Sequence, residues 1–121
     1  MDITIRTVPH NSQRYPTAAD WEFLEDGSLR ISVSATGSWE SEVLVAIHEL
    51  VEAVACKKLG IAEKDVCEFD VLNPQLIEPG ESPLAPYHQQ HVTAEIVERI
   101  AAQAMGVNWQ DHDALIDALF E

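Results

Sequence analysis

The run Val45-Ala46-Ile47-His48-Glu49-Leu50-Val51-Glu52-Ala53 sets three ionisable side chains among apolar ones. Residues four apart share a helix face, so His48 and Glu52 point together, with Leu44 before them and Ala55 after. Burying a carboxylate on such a stripe is costly unless it is paired or bound to a cation, and imidazole with carboxylate is a good donor set for a divalent metal. A second run, Pro86 to Gly106, aligns His88, His91, Glu95, Glu98 and Ala102 on one face, with Val92, Ile96, Val97 and Ile100 off it. Its only Lys or Arg is Arg99, off the stripe, so the face lacks the mixed charges of an ordinary solvated surface. Antiparallel packing of the two runs lets His91 complete a three-residue site with His48 and Glu52. Glu95, Glu98 and His88 are then second-choice ligands, or partners holding a histidine ring.

These residues need elements to hold them. Ser38, with Glu40 and Glu42 after it, is an N-cap signature, and Lys57, Lys58 and Gly60 mark a C-terminus, which predicts a helix over about 39–59. A second long helix is expected from about Pro86 to Gly106 and a shorter one from Trp109 to Phe120, whose Trp109, Leu115, Ile116, Leu119 and Phe120 read as a packing face. Between them, only a short helical turn near Glu63 to Cys67 stands out before Asn73-Pro74, Pro79-Gly80 and Pro83 break the chain. Upstream, Asp2 to Val8 alternates with period 2, and two further short runs flank Glu25-Asp26-Gly27, where the Asp-Gly pair suits the positive φ of a tight hairpin. The expectation is a single α+β domain over 1–121: a three-stranded antiparallel sheet, two long packed helices and a short C-terminal helix.

His48-Glu49-Leu50-Val51-Glu52 resembles the His-Glu-x-x-His core of the zincin metallopeptidases, with Glu in place of the second His. The resemblance implies that His48 and Glu52 bind the metal, Glu49 is the general base, and a third ligand comes from further along, His91 first and Glu95 next. It also implies a zincin-like order in which a sheet edge lies beside the metal helix. An anionic oxygen in place of imidazole acidifies bound water less, and makes manganese or iron more competitive with zinc, which remains the first expectation. The chain is also similar, over roughly residues 40 to 109, to small phage and prophage proteins that carry a His-Glu-Leu-Val-Glu-Ala segment followed by Pro-Tyr-x-x-x-His; that likeness brings no activity with it.

Bulk properties narrow the classes. With 121 residues, 46% hydrophobic, the chain can build a core without disulfides, and Cys56 and Cys67 are too few for a disulfide framework. Cys56 reads as a buried inert thiol. No apolar run is long enough for a membrane span and the N-terminus lacks a secretory layout, so a cytoplasmic location is expected. A net charge of −14 disfavours nucleic acid as a partner and favours cations. The leading expectation is a metal-dependent hydrolase of peptide or other amide bonds. The alternatives are a non-catalytic acidic interaction or inhibitor protein of phage type, and a magnesium-dependent nucleotide pyrophosphohydrolase, against which the scarcity of basic groups counts. Without further His and Asp elements in order, the phosphohydrolase-like dipeptide His112-Asp113 carries little weight.

Overall fold

The computed structural model describes residues 1–121. Strand β1 (Ile3–Val8) is followed by β2 (Ala19–Phe23) and β3 (Leu29–Ser34), then by helices α1 (Trp39–Leu59), α2 (Glu63–Leu72), α3 (His88–Met105) and α4 (Trp109–Ala118). Short 3-10 turns cover His10–Ser12 and Pro79–Glu81. No helix is long and apolar enough to cross a membrane.

The sheet is mixed, not antiparallel as expected: its order is β1-β3-β2, with β3 antiparallel to β2 but parallel to β1. The burial of β3 accounts for this. Leu29, Ile31 and Val33 turn to one face and Ser32 and Ser34 to the other, and all five are buried, so β3 takes the centre. Small serines tolerate that second buried face because their hydroxyls are satisfied there: Arg6 Nε donates to Ser32 Oγ at 3.0 Å, and Gln13 Nε2 to Ser34 Oγ at 3.1 Å. The 9–18 segment thus folds across β3 and delivers the chain to its far side. β1, left on the outer edge, keeps Ile3 and Ile5 half exposed.

The β2–β3 turn differs in detail from the expectation that the Asp26-Gly27 pair supplies its positive φ values. Leu24 N donates to Ser28 O and Gly27 N to Leu24 O, both at 2.9 Å, and Gly27 alone takes positive φ, at 85°. Asp26 instead accepts from the Ser28 amide and hydroxyl. Trp21, Leu29, Ile31 and Val33 form the sheet side of the core, against Val45, Ala53 and Cys56 of α1, Val66 of α2 and Ile116 of α4. Each fully buried large aliphatic of this kind contributes about 1.5–3 kcal/mol.

The bounds of α1 match the sequence expectation because its caps are local. Ser38 Oγ accepts from Ser41 N at 3.3 Å, and Gly60, at φ 74°, donates back to Cys56 O and Lys57 O. Helix α2 is longer than the expected turn, running on until Asn73-Pro74 stops it. Helix α3 lies antiparallel to α1: Glu98 meets His48, whereas His91, seven residues earlier, reaches Glu52. Its buried residues are His91, Ala94, Glu98 and Ala102, while Val92, Ile96 and Ile100 face solvent. The helix therefore turns imidazole and carboxylate inward and aliphatics outward, the reverse of the usual distribution. Alanines 94 and 102 leave room for the polar side chains to enter the seam.

Candidate metal centre

Three acceptor atoms converge where α1 and α3 cross. His48 Nε2 lies 3.3 Å from Glu52 Oε2 and 3.2 Å from His91 Nδ1, and His91 Nδ1 lies 3.2 Å from Glu52 Oε2. All three residues are buried, with 4–6% of their surface exposed. The helical spacing of 48 and 52 and the antiparallel seam produce this triangle, so the three leading sequence candidates come together.

A second layer of groups sets the orientation of the first. Glu98 accepts from His48 Nδ1–H at 2.9 Å and from His112 Nε2–H at 2.5 Å, and Ser41 Oγ donates to His112 Nδ1 at 2.7 Å. With the Nδ1 proton of neutral His48 given to Glu98, its Nε2 lone pair is aimed at Glu52 and His91. Trp21 Nε1 donates to the other oxygen of Glu52, Oε1, at 3.1 Å. Glu52 Oε2 and two ring nitrogens are left facing one another, an arrangement that requires a shared proton or a cation at its centre. This donor set fits a zinc-class dication: two imidazoles and one carboxylate, with His48 held by Glu98 and Glu52 by Trp21.

The electrostatics follow from that crowding. Burial alone pushes His48 down, but hydrogen bonds to Glu52 and Glu98 outweigh it and raise the imidazole to about 11. Burial raises Glu52, yet His48 and His91 more than offset it and hold the carboxyl at about 2. Glu98 is likewise held below its ordinary range, because His112 and His48 overcome its burial. Glu49 moves the other way. Its burial, then the charge of Glu52, push it well above the usual carboxylate value.

Beside the triangle opens a cavity of about 80 Å³, lined by Glu49, Trp21, Tyr15, Asp70, Glu78 and Tyr87 as well as the three donors. By the scale of buried hydration it holds several waters or a small group of substrate. Glu49, half-buried, lines this cavity. Tyr15 donates to Asp70 Oδ2 at 3.0 Å and Tyr87 donates to Asp70 Oδ1. Burial raises Asp70 to about 6 in spite of both bonds. Burial and neighbouring Glu81 push Glu78 up to about 8. No Lys or Arg lines the cavity.

The remaining candidates separate clearly. Glu98 lies behind His48, not in the triangle. His88 Nδ1 meets Gly80 O at 2.9 Å, tying α3 to the 79–81 turn, and Glu95 is part-exposed beside Arg99 at 3.7 Å; neither joins the three donors. Cys56 is buried, and burial raises its thiol to about 12. Sequence reasoning set His112 aside and missed Trp21, Tyr15, Tyr87 and Asp70. A signal existed for His112, which falls three residues after Trp109 and four before Ile116, on the buried face of α4. Comparison with family models, curated proteins and solved structures returns no match.

Proposed function

We propose that this chain is a metal-dependent hydrolase of peptide or other amide bonds, built on a zincin-like arrangement around His48, Glu52 and His91. The observation that carries the reading is the 3.2–3.3 Å triangle of buried acceptors, two of them, His48 and Glu52, held from behind. A divalent ion there, zinc first and manganese or iron next, supplies Lewis acidity toward a substrate carbonyl and makes water easier to deprotonate. Glu49, one residue after His48 and on the cavity wall, takes the proton from that water. Burial and the charge of Glu52 raise its affinity for protons, and a dication nearby would lower that affinity again. Glu98 holds the His48 tautomer and Trp21 holds Glu52, so neither ligand need reorganise during the reaction.

Further support comes from β2, an edge strand of the sheet that meets α1 through the Trp21–Glu52 contact, as the zincin resemblance implies. The absence of cationic side chains from the cavity favours amide substrates over phosphate esters, which need positive groups to receive them. Metal content of the gently purified protein, with that of His48→Ala and His91→Ala, tests the site. A peptide panel assayed with zinc, manganese and iron then tests the activity. Stoichiometric metal in both variants removes the site, and a metal-loaded protein inert to every amide removes the hydrolase.

One observation favours a second reading. A protonated His48 between Glu52 and Glu98 satisfies both carboxylates without an ion, making the cluster a buried structural ion pair. Under that reading the protein takes up no metal at equilibrium, and His48→Ala costs stability alone.

A further inference from the structure

Helix α1 is apolar on two faces, and the fold covers one. A helix hydrophobic all round is ordinarily covered all round. Val45, Ala53 and Cys56 pack into the core beside the sheet, and His48 and Glu52 meet α3. The other side carries Val43, Ile47, Val51 and Val54, which at roughly 100° per residue fall within about 40° of one line along the helix. Val43 and Val54 are 40% and 41% exposed, with Ile47 and Val51 part-exposed between them. Four β-branched aliphatics in a row make a packing seam, not a solvated face. The same line ends at Glu40 on the N-terminal side and at Lys58 on the C-terminal side. Glu40 Oε2 accepts from Ser38 Oγ at 3.1 Å, but the ion pairs of the chain engage Arg14, Arg30, Arg99 and the histidines, leaving Glu40 and Lys58 without an ionic partner.

This line is complementary to itself turned end for end. Rotating a copy about a twofold axis near Glu49 brings Glu40 opposite Lys58 of the copy, Val43 opposite Val54 and Ile47 opposite Val51, and the same pairs recur in reverse. Two molecules that each carry −14 repel wherever acids meet, whereas this line sets one acid against one base. The aliphatic line of α3, Val92, Ile96 and Ile100, lies between Gln89 and Gln103 and has no opposed charges at its ends to select a copy of itself. We infer that the protein forms a twofold-symmetric dimer in which α1 packs antiparallel against α1 of a second copy. The contact is isologous, so it closes at two chains. The aliphatics supply the association, and the Glu40–Lys58 pairs at its rim set direction and register more than strength. Helix α1 is about 30 Å long, and one helix pair buries less than the roughly 800 Å² per partner of a standard interface, which makes the expected affinity micromolar. The seam lies on the side of α1 away from His48 and Glu52, so the inference is independent of the hydrolase reading.

Sedimentation equilibrium on the full chain, from about 1 µM to about 1 mM, reads the assembled mass directly. The expected result is a reversible shift from monomer to dimer in the wild type. Val43→Asp and Val54→Asp each set a carboxylate into the seam and should raise the dissociation constant about tenfold or more. Glu40→Lys and Lys58→Glu singly bring like charges together and should weaken the dimer about three- to tenfold, while the two combined restore it. A wild type that stays monomeric at every concentration overturns the dimer. A dimer indifferent to both valine variants, or a mass beyond two chains, overturns the seam. A dimer weakened by the aspartates but not restored by the double charge exchange overturns the antiparallel pairing. Far-UV circular dichroism checks that each variant folds. Should the charge exchange prevent folding, since it opposes the helix dipole at both ends, the wild-type mass and the valine variants decide.

Discussion

Replacing Gly80 by Ala adds a single methyl group at the point where the 79–81 turn touches His91, one of the three proposed metal ligands. The built Cβ would meet His91 Cγ and Nδ1 at 2.5 Å and Cβ at 2.8 Å, against an ordinary carbon–carbon contact of about 3.5–4.0 Å. One side must retreat by about 1 Å. The turn is anchored by Ser82 N donating to Pro79 O at 3.1 Å and by the His88–Gly80 contact, so the strain falls largely on the ring. Overpacking of this kind costs about 1–3 kcal/mol. Melting entropy scaled to this chain length makes that a fall in Tm of about 4 °C per kcal/mol. Ligand distances tolerate roughly ±0.2 Å, so a shift several times larger at His91 Nδ1 weakens metal binding roughly ten- to a hundredfold. Gly80 has no positive φ to complicate the comparison. Thermal melts of the chelator-treated protein measure the first effect and competitive zinc titration the second. Unchanged Tm and unchanged zinc affinity in Gly80→Ala would refute the claim that this turn sets the position of His91.

Three other outcomes follow from the same geometry. His112→Ala leaves a cavity and strips Glu98 and Ser41 of a partner, so urea denaturation should show a loss of about 2–4 kcal/mol; a loss below about 1 kcal/mol means the Ser41–His112–Glu98 string is dispensable. Trp21→Phe keeps the aromatic packing but removes the N–H to Glu52, and should weaken zinc binding about tenfold with only a small change in Tm; equal affinity sinks the positioning role. Asp70 is raised from 3.8 to about 6 by burial, so the folded state holds a proton that the unfolded chain has already released between those values. Stability therefore falls as pH rises from about 4 to 6, by about 1–2 kcal/mol after allowance for partial exposure, and Asp70→Asn should flatten that slope in denaturation measured at pH 4.5 and 7. An unchanged slope in the variant assigns the effect to another group.

The features legible from sequence are those decided within a few residues. The ends of α1 depend on Ser38 and Gly60, and the alignment of His48 with Glu52 depends only on helical pitch. The crossing of α1 and α3 was readable because His91 and Glu98 stood on a face too acidic and too poor in Lys or Arg for plain solvation. Strand order was not, since it turns on whether 9–18 crosses β3, and serines 32 and 34 look like solvent-facing residues until Gln13 and His10 are seen against them. His112 was passed over because its partners lie 14 and 71 residues away. Helix α2 was undersized because only Val66 of its ten residues is buried, which leaves little periodicity to read.

The place of β1 bears on how the molecule assembles and comes apart. β2 and β3 are joined by a tight turn and can zip within microseconds, whereas Ile3 must find Leu29 across the whole hairpin. The first strand therefore docks last, and with its aliphatics half bare it is the first to peel away. Each such excursion uncovers one side of β3, a row of amides that a strand from a neighbouring molecule can occupy, so protection of the β1 segment governs how long concentrated protein stays dispersed.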